Sequence, residues 1–331
     1  MTYQETVEYL FSLLPAYHRV GKPAYKGNLD NTLELDRYFS HPHSRFRSVH
    51  VAGTNGKGSV SHMTASVLQE AGYRTGLYTS PHLKDFRERI RIDGEMIPEE
   101  EVVRFVADHD GIIGKMKPSF FELTVALAFD YFARMKVDIA VVEVGMGGRL
   151  DSTNIITPLL SVITNIGHDH MEFLGPTLKA VAGEKAGIIK EGVPVVIGET
   201  QPETRDVFLQ RAEAMHAPVT FADSRFRCRL GRIFPDSSMR RFTLSGPDDG
   251  MTLKGETPLG GLAQRKNLQT TAAAVEKLSA DLGLSREHFL RGVAGVVENT
   301  GLMGRWQILS RSPLTVCDTG HNREGLEYVM R

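Results

Sequence analysis

The chain has 331 residues, 41% hydrophobic and 24% charged, an ordinary globular composition long enough for a substantial core and about two domains. Its 39 basic side chains nearly balance 40 acidic ones, for a net charge of −1, so nothing points to a nucleic-acid or membrane partner. Two isolated cysteines, Cys228 and Cys317, make no disulfide framework and point to a reducing cytoplasm. Glu5 and Glu8 argue against a signal peptide, and no run of about 20 apolar residues exists to span a membrane.

Val7, Leu10, Phe11 and Leu14 recur at helical spacing and predict an opening amphipathic helix. His18 to Thr32 is polar and glycine-containing, and reads as a loop. RSVHVAG predicts a strand, and SVSHMTASVLQEAGY a helix with Val60, Met63, Val67 and Ala71 on one face. The glycine-rich stretch between them, GTNGKGS, lies where a phosphate loop belongs. It departs twice from the G-x-x-x-x-G-K-[ST] pattern. Val51 stands where the first glycine falls, and Gly58 follows Lys57 where a hydroxyl is expected, with Ser59 one residue late. On the local pattern alone two readings stay open: a nucleotide site, or a strand-to-helix turn carrying a solvated lysine.

RTGLYTS predicts a short strand, with Ser80 held extended before Pro81, where its hydroxyl either caps a turn or reaches a metal. Phe120 to Met135 reads as a buried helix. VDIAVVEVGMGG is a strand-length apolar run that puts Glu143 at a carboxyl edge, placed like an acidic Mg²⁺ ligand. LLSVITNIG is a further strand, followed by His168, Asp169 and His170, three polar groups suited to metal or phosphate. Lys185 beside Glu184 reads locally as a solvated pair on a helix surface. VPVVIG and Ala217 to Asp223 complete an alternation of buried strands and helices, which implies an α/β fold with a doubly wound parallel sheet. Phe226 to Gly261 is broken into short polar-alternating pieces and predicts a small antiparallel sheet. NLQTTAAAVEKLSADLG is a helix ending at Gly283, and PLTVCDTGHN a last strand with a loop at its end.

Six of these segments, in this order, resemble the folylpolyglutamate synthase family, which includes bifunctional dihydrofolate synthases and belongs to the Mur ligase superfamily. They are GTNGKGS, TSPHL, EVGMGGRLDSTN, ITNIGHDHMEFLG, EKAGIIK and DTGHN, spread over nearly the whole chain. The resemblance implies an ATP-dependent amide ligase. ATP phosphorylates a carboxylate of a folate or pteroate, and the amine of L-glutamate then attacks the acyl phosphate, leaving ADP and phosphate.

At matching positions it implies that Gly53, Thr54, Asn55, Gly56, Lys57, Gly58 and Ser59 cradle the ATP phosphates. Ser80 and Glu143 would hold one Mg²⁺, and Glu143 with His170 a second. Lys185 falls where the family carries a carboxylated lysine; Lys57, His170 and Lys185 are thus the catalytic candidates. Asn267, Arg305, Asp318 and His321 would contact the nucleotide, and Ser119, Phe120, Phe121, Asp151 and Ser152 the pterin. HRVGKPAYKGNLDN is expected to close over the substrate. The default is a monomer.

The same resemblance divides the chain into an ATP-binding domain over 1–299 and the start of a Rossmann-like, glutamate-ligase domain over 300–331. Only nine residues follow Asn322, so most of that second domain is expected to be absent, and this chain alone to bind ATP but ligate poorly. The competing expectations are another Mur-type ligase, acting on a cell-wall precursor, and an ATP-binding module without ligase activity.

Overall fold

The structure is a computed structural model that describes residues 1–13, 28–233, 238–246, 250 and 252–330. Eight strands form the main sheet: β1 (Arg47–Ala52), β2 (Thr75–Tyr78), β3 (Ile90–Ile92), β4 (Glu95–Met96), β5 (Ile139–Glu143), β6 (Leu160–Ile163), β7 (Val195–Ile197) and β8 (Val219–Phe221). Their order is β4-β3-β2-β5-β1-β6-β7-β8. From β2 to β8 every pairing is parallel. The expectation of a parallel sheet is corrected at one edge, where β3 and β4 run antiparallel. Asp93 (φ 49°) and Gly94 (φ 84°) make the two-residue turn between them, the Asp-Gly signature of a tight hairpin.

The central strands are buried and mostly apolar because both faces are covered. Val49, Val51, Val141 and Val162 pack toward the helices Lys57–Glu70 and Gln264–Leu282. On the other face, Ala140, Val142 and Tyr78 meet the helices Glu99–Met116 and Phe120–Arg134. Farther along, Ile163, Val195 and Ile197 join a third cluster with the helices Leu178–Ala186 and Pro202–Ala214. The helix after the phosphate loop is buried from Ser59 to Leu68 without interruption, wedged between sheet and helices rather than lying on a surface.

The small antiparallel sheet is present as β9 (Arg227–Ile233), β10 (Arg240–Ser245) and β11 (Thr252–Thr257). The last expected strand, β13 (Leu314–Cys317), pairs antiparallel with β12 (Gln307–Arg311), and the helix Arg323–Val329 follows. The opening helix spans Tyr3–Leu13, so Leu14 falls outside the described residues, as does most of the expected substrate-closing loop. The loop expected over His18 to Thr32 is corrected at its end, because the helix Asp30–Tyr38 begins within it. The strand expected over Ala217 to Asp223 is shorter, because Ala222 opens a helical turn.

Candidate active site

β5, β1 and β6 end side by side, with Val51 opposite Glu143 and Ala52 opposite Ile163. β2 lies on the other side of β5, with Tyr78 opposite Val142. The loops after all four strands therefore meet at one carboxyl edge, where open α/β sheets bind ligands.

The phosphate loop needs its glycines. Gly53 has φ +146° and Gly56 φ +85°, and a Cβ would come within 1.8 Å of Thr164 Oγ1 at the first and 2.4 Å of Asn267 Oδ1 at the second. Neighbouring loops pin the backbone. Thr54 N–H donates to the Asn165 carbonyl at 2.9 Å, Asn55 N–H to Asn165 Oδ1 at 2.8 Å, and the Thr164 hydroxyl to the Asn55 carbonyl at 2.6 Å. Lys57 folds back to donate to the Gly53 and Thr54 carbonyls at 2.9 and 3.2 Å. Ser59 is buried, and its hydroxyl accepts from Gln264 Nε2 at 3.4 Å.

Ser80 and Glu143 are brought together. The Ser80 N–H donates to Glu143 Oε2 at 3.2 Å. Both line an open cleft with Gly58, His62, Arg305 and His321. Glu143 is 3% exposed and has no ion pair among the described residues. Burial pushes its carboxyl above the ordinary range, opposed by Lys57, the Ser80 N–H, Arg305 and Arg89. A Cβ on Gly58 would sit 3.5 Å from Arg305 Nη2 and 3.8 Å from Glu143 Oε2, which is ordinary contact. Sterics therefore do not demand glycine there; its effect is to leave space between the carboxylate and the guanidinium.

Lys185 is not the solvated residue its local sequence suggests. It is 4% exposed, and its ammonium donates to the same Gly53 carbonyl as Lys57, at 2.9 Å. Burial first, and Lys57 second, bring its pKa down to about 7, against the pull of Asp169 and Asp151. Its neighbour Glu184 instead pairs with Arg149 at 2.9 Å. A smaller cavity is lined by Gly53, Lys57, Met146, Asp169, His170 and Lys185. His170 thus lines the cavity beside the two lysines, while Ser80 and Glu143 line the other cleft.

Asn267 is buried at the start of its helix, where it lies over Gly56 and donates to Gln264 Oε1 at 2.9 Å. Arg305 bonds to Thr319 Oγ1 and to the Gly304 carbonyl. Asp318 accepts from the Trp306 and Gly320 N–H groups at 2.8 and 2.9 Å, which shapes the turn presenting His321. His321 is exposed, with Nε2 3.8 Å from Asp169 Oδ2.

The pterin candidates fall into two groups. Ser119 caps the helix Phe120–Arg134 in a reciprocal pair with Glu122. Phe120 stacks on Phe11 with centroids 4.7 Å apart, under the Arg89 guanidinium at 5.2 Å. Phe121 lies 6.1 Å from the Tyr78 ring and against Gly145. Asp151 is buried and accepts from the Thr153 N–H and hydroxyl and from the Met146 N–H, so it orders the GMGG loop; Ser152 is buried beside it.

Several residues of this edge were not singled out in the sequence. Asn322 Nδ2 donates to Asn55 Oδ1 at 2.9 Å, and Asn55 Nδ2 to Glu324 Oε2 at 3.5 Å, so the last helix is clasped to the phosphate loop. Asn165 serves the same edge, beside Asp169, which the sequence did single out. The signal for Asn165 and Asn322 is a short polar side chain just after an apolar strand or inside the DTGHN turn; Glu324, in the helix Arg323–Val329, carries no such signal.

The sheet edge, the glycine loop and the buried carboxylate define a class, and the comparisons agree on it. A family profile described as the Mur ligase middle domain matches residues 51–275. The chain is 39% identical over 312 residues to the dihydrofolate synthase/folylpolyglutamate synthase of Bacillus subtilis, covering 92% of this chain and 71% of that protein. It is 35% identical to the folylpolyglutamate synthase of Lacticaseibacillus casei, over 100% of this chain and 76% of that one. A solved FPGS–AMPPCP–folate complex superposes with TM-score 0.90 at 34% identity, covering 100% of this chain and 79% of the other. The chain is thus built as a Mur-type, ATP-dependent ligase. It belongs to the folylpolyglutamate synthase/dihydrofolate synthase family.

Proposed function

We propose that this chain carries the ATP site of a ligase that joins L-glutamate to a folate, or to dihydropteroate, through an acyl phosphate. A carboxylate oxygen of the substrate attacks the γ-phosphorus and ADP leaves. The glutamate amine then attacks the acyl carbon, phosphate leaves, and the new amide loses a proton. A carboxylate is a poor electrophile, so the site must neutralise charge at the phosphoryl group and align the partners. Lys57 meets the β- and γ-phosphates by exchanging the Gly53 and Thr54 carbonyls for phosphate oxygens. Asn267, Arg305, Asp318 and His321 surround the rest of the nucleotide.

A hydroxyl from Ser80 and a carboxylate from Glu143 are oxygen donors that suit Mg²⁺, and the buried Glu143 lacks an ion pair at the cleft. Once bound, Mg²⁺ would supply charge neutralisation at the phosphates. Ser59 faces Gln264, which favours Ser80 over the loop hydroxyl as the ligand. His170, which lines the neighbouring cavity, would serve with Glu143 for a second ion.

Lys185, with a pKa near 7, holds much neutral amine at neutral pH. That form attacks CO₂, giving a carbamate and releasing one proton. The resulting anion would face Lys57 and His170. A ¹³C-bicarbonate carbamate resonance, absent in Lys185→Met, tests this; its absence from the unaltered chain contradicts it. The domain division is proposed at residue 300, where the helix Val296–Thr300 ends, ahead of the β12–β13 hairpin.

The observation that carries the reading is Glu143, a buried carboxylate on the floor of an open cleft beside the phosphate loop. ADP release with tetrahydrofolate plus glutamate, and with dihydropteroate plus glutamate, each with Mg·ATP, tests it. Release that requires both substrates supports it; release driven only by a cell-wall precursor contradicts it.

A further inference from the structure

A second polar cluster lies far from this edge. Asp36, on the helix Asp30–Tyr38, is buried at 5% exposure. Its two oxygens face two imidazoles from the turn that follows. Oδ2 is 2.7 Å from His41 Nδ1, and Oδ1 is 2.6 Å from His43 Nδ1. One ligand atom from each residue lies within 4.8 Å of the others.

The backbone holds an unusual shape to present them. Ser40 (φ 59°) and His41 (φ 55°) are consecutive non-glycine residues in the left-handed region, directly before Pro42. Such strain persists where surrounding contacts over-determine it, and it concentrates at sites that bind. Arg45 Nη2 donates to the Ser40 carbonyl at 2.9 Å, which braces the turn. Asp36 and His43 are well covered, while His41 is half exposed, leaving an approach from solvent.

We propose that Asp36, His41 and His43 form a binding site for a borderline divalent transition metal of the Zn²⁺ or Co²⁺ type. Two imidazole nitrogens and one carboxylate oxygen suit these ions, whereas Mg²⁺ prefers all-oxygen surroundings. With metal–ligand bonds of ~2.1 Å, tetrahedral donors sit about 3.4 Å apart, so the imidazole bonded to the ligating carboxylate oxygen retreats from it by roughly 0.7 Å. His41 has the freedom to do this at the surface. In the free state each Nδ1–H donates to the carboxylate. On binding, each Nδ1 gives up its proton and turns its lone pair to the metal, while Nε2 carries the ring's remaining proton. The fourth position is left to water.

The site is separate from the ligase centre. It lies before the amino end of β1, while the phosphate loop follows the carboxyl end of the same six-residue strand, about 20 Å on. Its effect is to fix the turn that joins the Asp30–Tyr38 helix to β1. It is a structural site rather than a catalytic one.

Co²⁺ is titrated into the chain in excess Mg²⁺ and an ATP analogue, which keep the ligase centre occupied. Heat of binding and visible ligand-field absorption are both followed. One Co²⁺ per chain with histidine-type absorption is expected, displaced by Zn²⁺. His41→Gln and His43→Gln, both at the surface turn, each weaken it by at least about tenfold. Circular dichroism checks that each variant stays folded, and Asp36 is left intact because its loss could unfold the turn. No Co²⁺ binding by the unaltered chain, or binding weakened less than tenfold in either variant, overturns the proposal.

Discussion

Glu143 and Lys185 are charges of opposite sign that the fold strips of water at one sheet edge, and each has a measurable consequence. Glu143→Gln keeps the shape but removes the anion, so ligation falls by about 10²-fold or more, the scale on which charge at a developing centre acts. Steady-state kcat checks this; a loss below tenfold contradicts the role. Lys185 gives a pH signature. In the unfolded chain a lysine keeps its proton to about 10.5, but the folded one gives it up near 7. Between those values the unfolded state binds more protons, so stability rises with pH across the window. In CO₂-depleted buffer, the unfolding free energy of the unaltered chain minus that of Lys185→Met should increase from pH 7 to 9, and a flat difference contradicts the burial argument. His50 works the same way at lower pH. It is fully buried, bonded to Thr153 Oγ1 at 2.9 Å, with its pKa brought down to about 3 by burial. Stability is therefore lost as pH falls from 6.5 toward 3, and His50→Gln removes part of that loss.

At the scale of elements, β5 and β6 were legible because they are buried on both faces and lie in largely apolar runs, and β1 because its alternating RSVHVA leads into the glycine loop. The helix Phe120–Arg134 was legible from its length, and the end of Gln264–Leu282 from Gly283 in the left-handed region. The β3–β4 hairpin was missed although Asp93–Gly94 marks it, because its two strands are only three and two residues long. Lys185 could not be read locally. Its burial depends on Gly53, 132 positions away, and Glu184 turns outward to Arg149, 35 positions away. Ser119 shows how an element can absorb a supposed ligand contact. Its hydroxyl caps the helix, so Ser119→Ala should cost ~1 kcal/mol of stability in denaturant unfolding. If the cap is its only duty, KM for the folate substrate stays unchanged; if it also touches the pterin, KM rises.

Over the whole molecule, the site is assembled from segments separated by most of the chain, and the last helix closes it. Asn322 and Glu324 reach the phosphate loop across 267 and 269 positions. Asn322→Ala removes that clasp, and ATP-analogue affinity should fall about fivefold, the equivalent of ~1 kcal/mol for a hydrogen bond. The motifs named the participants, but contacts between distant loops set how they meet. The most direct test of the account is calorimetric titration of a non-hydrolysable ATP analogue with and without Mg²⁺. The unaltered chain and Ser59→Ala should both bind more tightly with Mg²⁺, while Ser80→Ala and Glu143→Gln lose most of that gain. The opposite result, with the Mg²⁺ gain lost in Ser59→Ala and kept in Ser80→Ala and Glu143→Gln, would contradict it.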